Sequence, residues 1–172
     1  TFTMAYELNL KSTADGLKIF QTPIKEYESL RKVPFELKDG TITTDSENIL
    51  ENLKGTRYEI IAEITPEGRG AQVGFNLRTK GSQVTKVYYN LSGQTLIVDR
   101  SSSGANPNGN FPKAYSKTVK LKDGKLKLHI FVDESNIEVF ANDGEEVASL
   151  LIFPDPDSDG MEFFVKNGTA KC

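Results

Sequence analysis

The chain has 172 residues, with 21 Lys and Arg against 24 Asp and Glu and a formal net charge of −3. That length is enough for one domain with its own core, without disulfide or metal staples, and the near balance of charge offers no general attraction to nucleic-acid phosphates or to anionic lipid. No apolar run reaches the about 20 residues of a membrane-spanning helix, and a single cysteine, Cys172, excludes an internal disulfide.

From the N-terminus, alternating polarity predicts strands over Tyr6 to Lys11, Leu17 to Thr22, Val33 to Leu37, Arg57 to Ile64, Gln72 to Arg78 and Thr85 to Leu91. It continues with Thr95 to Asp99, Tyr115 to Lys120, Lys125 to Val132, Ile137 to Ala141, Val147 to Phe153 and Gly160 to Val165. Asp-Gly at 15–16, 39–40, 123–124, 143–144 and 159–160, with Asn-Gly at 108–109 and 167–168, punctuates these runs with residues that tolerate positive φ. The expectation is an all-β, two-sheet β-sandwich of the jelly-roll or concanavalin-like kind, with about twelve strands in two sheets of about six. One short helix is expected over Ile24 to Arg31, introduced by Pro23 and limited by Pro34. The polar stretch Ser101 to Asn110 reads as an exposed loop. Residues 1–172 read as one domain. Because Thr1 rather than Met stands first, the segment is expected to be cut from a longer protein, although loss of an initiator Met would look alike.

The most informative stretch runs from Leu126 to Gly144. Leu126-Lys127-Leu128-His129-Ile130-Phe131-Val132 and Ile137-Glu138-Val139-Phe140-Ala141 write two strands. Asp133-Glu134-Ser135-Asn136 separates them, and Asn142-Asp143-Gly144 turns the chain into the next strand. Together with Tyr6-Glu7-Leu8-Asn9-Leu10, Gly16 to Arg31, Lys86-Val87-Tyr88-Tyr89-Asn90 and Leu96 to Ser101, this wording resembles the C-terminal β-sandwich of glycoside hydrolase family 32. That family contains the invertases, levanases and inulinases that cleave fructosyl bonds.

The resemblance implies a noncatalytic domain that stabilises a five-bladed N-terminal catalytic propeller, or mediates domain and subunit contacts including a homodimer. Residues 1–32 would be the strands and short helix that join it to the propeller. It also implies a bacterial, extracellular setting more than a cytoplasmic one. One departure is Tyr6, where the family usually has an Arg before the Glu of its opening strand. The family's catalytic carboxylates lie in Asn-Asp-Pro-Asn, Arg-Asp-Pro and Glu-Cys motifs of the propeller, and none of these strings occurs here. Asn106-Pro107-Asn108-Gly109 imitates the first only superficially. Retaining glycoside hydrolysis needs two carboxyl groups about 5 to 5.5 Å apart, so this chain alone is expected not to be an enzyme.

Other groups have bland readings. Asp133-Glu134 and Glu145-Glu146 are neighbours that point apart and read as solvated turn charges. Asp155-Pro156-Asp157-Ser158-Asp159-Gly160 opens like a calcium loop, but Lys166 stands at the twelfth position, where a bidentate Glu is required. His129 reads as a surface strand residue with no nucleophile motif beside it. Gly68-Arg69-Gly70 lacks the third glycine of a phosphate loop, and the sequons Asn90-Leu91-Ser92 and Asn167-Gly168-Thr169 matter only in a eukaryotic secretory setting. Neither metal nor cofactor is expected.

The second functional expectation is a fructan-binding, lectin-like module, by analogy with carbohydrate-binding module family 66, which recognises terminal fructose. Alternation sends Val73, Phe75 and Leu77 inward and leaves Asn76 and Arg78 on the outer face, with Tyr88 and Asn90 outward on the next strand. Asn76, Arg78, Tyr88 and Asn90 are thus the candidate carbohydrate-binding residues.

Overall fold

The computed structural model describes residues 3–32, 34–111 and 113–172. A hairpin of β1 (Tyr6–Thr13) and β2 (Gly16–Pro23) opens the chain, followed by a 3-10 helix over Lys25–Leu30. The remaining strands are β3 (Thr41–Thr43), β4 (Tyr58–Glu67), β5 (Gln72–Lys80), β6 (Gln83–Asn90), β7 (Thr95–Ser102) and β8 (Ala114–Thr118). After them come β9 (Leu126–Val132), β10 (Asn136–Ala141), β11 (Glu146–Leu151), β12 (Gly160–Lys166) and β13 (Thr169–Lys171). One sheet has the order β11-β10-β9-β4-β13-β3 and the other β12-β5-β6-β7-β8, with β1-β2 as a separate pair.

Period-two patterning decides which faces meet. Leu126, Leu128, Ile130 and Val132 of β9 and Ile137, Val139 and Ala141 of β10 turn inward from the six-stranded sheet. Val73, Phe75 and Leu77 of β5, Val87 and Tyr89 of β6, and Phe163 and Val165 of β12 answer from the five-stranded sheet. None of these side chains exceeds 5% exposure, so each contributes roughly 1.5 to 3 kcal/mol of hydrophobic stabilisation where the side chain is large. The phenol of Tyr89 survives in this core because it donates to the Val119 carbonyl at 2.8 Å. Burial pushes its pKa up to about 12.

The sandwich expected from sequence is present, with differences, the first being that β1 and β2 form a third sheet of their own instead of joining either of two sheets of about six. The Ile24 to Arg31 segment is a single 3-10 stretch rather than an α-helix, since it buries no residue and its N-cap, Ile24, makes no side-chain cap bond. No strand forms over 34–37, and Val33 lies outside the described residues. Instead β3 and β13, three residues each, pair with one another, and β13 also pairs with β4. Their shortness hid them, and reciprocal backbone bonds between Gly40 and Cys172 at 3.2 and 3.0 Å extend the β3–β13 pairing.

Residues 3–31 form a strap over the outer face of the six-stranded sheet. The Met4 amide donates to Glu138 Oε1 at 2.7 Å, and Tyr6 meets Phe140 edge-on with centroids 5.9 Å apart. The Tyr27 hydroxyl accepts the Ala5 amide at 2.8 Å while its ring leans on Phe131. Arg31 ends the strap with a two-pronged bond to Glu59 of β4 at 2.7 and 2.8 Å. A two-stranded hairpin is marginal by itself, so these anchors decide where β1 and β2 lie.

Gly144 is the tightest anchor. Its φ of +85° suits glycine, and a Cβ there would overlap the Gln21 carbonyl, because Gln21 of β2 donates its amide to the Gly144 carbonyl at 2.9 Å. Lys18 adds a 2.8 Å ion pair to Glu145 beside it. Gly144→Ala is expected to lift the hairpin off this turn at a cost of about 1 kcal/mol from φ alone, with the overlap added. Limited proteolysis in the Ala14-Asp15 turn should accelerate several-fold, and an unchanged cleavage rate would contradict the docking.

Glu59 carries a pH signature. The Arg31 guanidinium, helped by His129 Nε2 at 2.6 Å, outweighs burial and holds its carboxyl below the usual range. A carboxyl lowered in the folded state stabilises above its unfolded pKa of about 4.3 and loses that contribution as pH falls through the lower folded value. Glu59→Gln should flatten the acid limb of stability against pH, at a cost near neutrality of about 1 kcal/mol or less; urea unfolding across that range measures it.

Candidate functional site

The outer face of the five-stranded sheet is ordered in rows by its register. Asn76 of β5 lies between Glu162 of β12 and Lys86 of β6, and Lys86 faces Asp99 of β7. One pleat along, Gly74 lies between Phe164 and Tyr88. A further pleat gives Gln72 opposite Asn90. Asn76 and Tyr88 are therefore near neighbours, whereas Asn90 lies four residues along β6 from Lys86, roughly 13 Å away. Asn90 instead closes the turn after β6, accepting the Gly93 amide at 3.4 Å.

Arg78 requires a correction. Expected on this outer face, it is 1% exposed. The cause is a β-bulge: Met161 and Gly160 of β12 oppose Leu77 and Thr79, leaving Arg78 as an extra residue at φ +51°. The bulge re-aims its side chain into the end of the sandwich, where its hydrogen bonds among the described residues go to carbonyl oxygens. Nε donates to Ser158 at 2.7 Å, one terminal nitrogen to Asp133 and Glu134 at 3.1 Å and to Thr56 at 3.3 Å, and the other to Asp155 at 3.3 Å. Burial lowers the guanidinium's pKa from its ordinary value, yet arginine keeps its charge inside proteins. It cannot contact a ligand on the sheet face.

The same cage explains the Asp155 to Gly160 loop. Two of its carbonyls are turned to Arg78, while Asp157 pairs with Lys80, Asp159 lies 3.9 Å from Lys54, and Ser158 bonds Gln83. Two of its backbone oxygens thus serve an internal cation. Glu145 is shared by Lys18 and Lys122, both at 2.8 Å, and Glu146 lies 3.7 Å from Lys117, so this acidic pair is tied to lysines rather than free in solvent. Asp133 caps the Glu134 amide at 2.8 Å. His129, expected on the surface, is half-buried between Glu59 and the Phe131 ring, whose centroid is 4.5 Å away.

Sequence reasoning missed Glu162, Lys86 and Phe164. Alternation around Phe163 and Val165 would have sent Glu162 and Phe164 outward, but that β12 lies beside β5 is a pairing across 86 residues that no local pattern reports. Beside this face, the Asn48 to Lys54 loop is held by Asn48 Nδ2 donating to the Met161 carbonyl at 2.9 Å. Loop and sheet together enclose an open cleft of about 370 Å³.

The second notable surface is on the strap. In the β1–β2 register Leu10 faces Ile19, Leu8 faces Gln21 and Ser12 faces Leu17, so four aliphatic side chains share one face. They are 57% to 72% exposed. The opposite face carries Phe20, buried beneath Lys11.

A family model for the C-terminal region of glycosyl hydrolases family 32 matches residues 26–172. The chain belongs to that family. It is 43% identical over 172 residues to a levanase of Bacillus subtilis, covering 96% of this chain and 25% of the levanase. It is 38% identical over 174 residues to a fructan beta-fructosidase of Streptococcus mutans, covering all of this chain and 12% of that protein. The chain thus spans a quarter or less of these relatives' length. Its fold matches that of exo-inulinase from Aspergillus awamori with a TM-score of 0.79 at 23% identity, over 96% of this chain and 34% of the inulinase.

The family 32 sandwich here depends on Arg78 to close one end. Lysine cannot reproduce a fork that reaches five carbonyls, and each buried acceptor left unpaired costs about 1 to 3 kcal/mol. Arg78→Lys should therefore lower the unfolding free energy by roughly 3 kcal/mol or more in urea; a loss under about 1 kcal/mol would show that the cage is dispensable.

Proposed function

We propose that this chain is the noncatalytic C-terminal sandwich of a fructan- or sucrose-hydrolysing enzyme, and that it stabilises the catalytic part by docking through the β1–β2 hairpin. The observation that carries this reading is the apolar face of Leu8, Leu10, Leu17 and Ile19, held outward by a hairpin whose other face is anchored on the sandwich. Contiguous exposed aliphatics of this kind mark contact surfaces. The occupant is the catalytic part of the same polypeptide, since levanase and fructan beta-fructosidase relatives are several times longer and family 32 places this domain at the C-terminal end. Leu30, Phe35 and Leu37, all exposed, extend the apolar character of the same N-terminal region. Residues 1–32 act in this reading as the joining segment, and Arg31 and Glu138 fix its path across the sheet.

Co-expression with a family 32 propeller stripped of its own sandwich tests the proposal. A soluble complex is expected at micromolar concentration, and Leu10→Asp with Ile19→Asp should abolish it. The same double substitution should change the melting of the isolated chain little, because exposed positions fall within about 0.5 kcal/mol. Absence of a complex with the unaltered chain, or a complex indifferent to the two aspartates, counts against the hairpin as the docking face.

A further inference from the structure

We propose that the cleft between the Asn48 to Lys54 loop and the outer face of β12, β5 and β6 is a subsite for a neutral, hydroxyl-rich saccharide. The choice of fructosyl chains as its ligands rests on the family reading above; the site itself rests on its own geometry. At about 370 Å³ the cleft falls within the range of small-ligand sites, about 300 to 1,000 Å³.

Its chemistry is mixed in a way that suits hydroxyl groups. Glu51 and Glu162 supply acceptors, Lys54 and Lys86 supply donors, and the opposing charges leave no net pull on an anion. A sugar hydroxyl both donates and accepts, so adjacent hydroxyls can bridge such alternating groups. Asn76 lines the cleft and donates its Nδ2 to Glu162 Oε2 at 2.5 Å, which ties these two side chains together in its wall.

An apolar platform adjoins these groups. Phe164 and Tyr88 stand one pleat from Glu162 and Lys86, with centroids 6.2 Å apart across Gly74. A Cβ on Gly74 would overlap the Val87 carbonyl, so the backbone stays bare beneath the rings and they lean together. Aromatic faces beside fixed polar groups give a sugar both its apolar C–H contacts and its hydroxyl partners. Because Glu162, Asn76, Lys86, Tyr88 and Phe164 all stand on paired strands, little ordering is needed on binding.

Titration of the isotope-labelled chain with fructo-oligosaccharides, fructose and fructose 6-phosphate, followed by amide NMR, tests the site. A saturable shift of the Asn76 side-chain amide and of β5 and β12 amides by the neutral oligosaccharide is expected. Asn76→Ala and Glu162→Gln should each weaken it at least tenfold, about 1.4 kcal/mol. Since either variant can perturb folding, the shift map of the unaltered chain carries the decision. No shift, shifts confined to other faces, or tighter binding of the sugar phosphate would overturn the proposal. Leu10→Asp with Ile19→Asp should leave the sugar shifts in place, which separates this site from the docking face.

Discussion

The buried guanidinium of Arg78 is the interaction on which the end of this sandwich depends. A single extra residue in β5 turns a side chain out of the pleat and into a ring of carbonyls from three separate loops, around Thr56, Asp133 to Glu134 and Asp155 to Ser158. Those loops would otherwise close over unpaired backbone acceptors, whose desolvation is costly. One cation satisfies them together and so fixes their relative positions. The last of the three loops feeds directly into β12. Its anchoring sets the register that brings Glu162 against Asn76, and the charge chemistry of the outer face follows from a residue that never reaches it.

The opposite sheet solves a different problem. Its outer face carries Phe131, Phe140 and the fully buried Glu138, which would be a poor surface for water. The N-terminal strap covers it with matched contacts, ring against ring and amide against carboxylate. Covering one apolar surface, however, creates another. The hairpin spends Phe20 on the sandwich and leaves four aliphatics on its far side, where a solitary two-stranded sheet has no third layer to bury them.

The strands of this fold were legible because they alternate and because Asp-Gly and Asn-Gly mark their ends. Leu126 to Val132 and Ile137 to Ala141 read as strands for that reason and are strands in the fold. Alternation failed at Arg78, where the bulge carries no glycine to announce a positive φ. It was silent on β3 and β13, which are too short to show a period. Around Gly144 the sequence spelled the turn but not its second use as a seat for the Gln21 carbonyl. In each case the missing information is a contact between residues far apart in the chain. Of the four residues singled out for sugar contact, Asn76 and Tyr88 share a neighbourhood, Asn90 stands one pleat from Tyr88 and two from the row of Asn76, and Arg78 is withdrawn into the interior.

The two proposed surfaces lie on opposite sides of the molecule. The strap occupies the outer face of the six-stranded sheet, while the cleft opens on the outer face of the five-stranded one, with the whole core between them. A partner seated on Leu8, Leu10, Leu17 and Ile19 therefore leaves Asn76 and Glu162 open to solvent. This geometry makes the two proposed roles independent rather than alternative: docking of a neighbour on one sheet would leave the other open to a chain of sugars. Were both surfaces on one sheet, docking would have to displace ligand, and binding at either would weaken the other. With them back to back, and with a close-packed core resisting small displacements, the expected coupling between them is small.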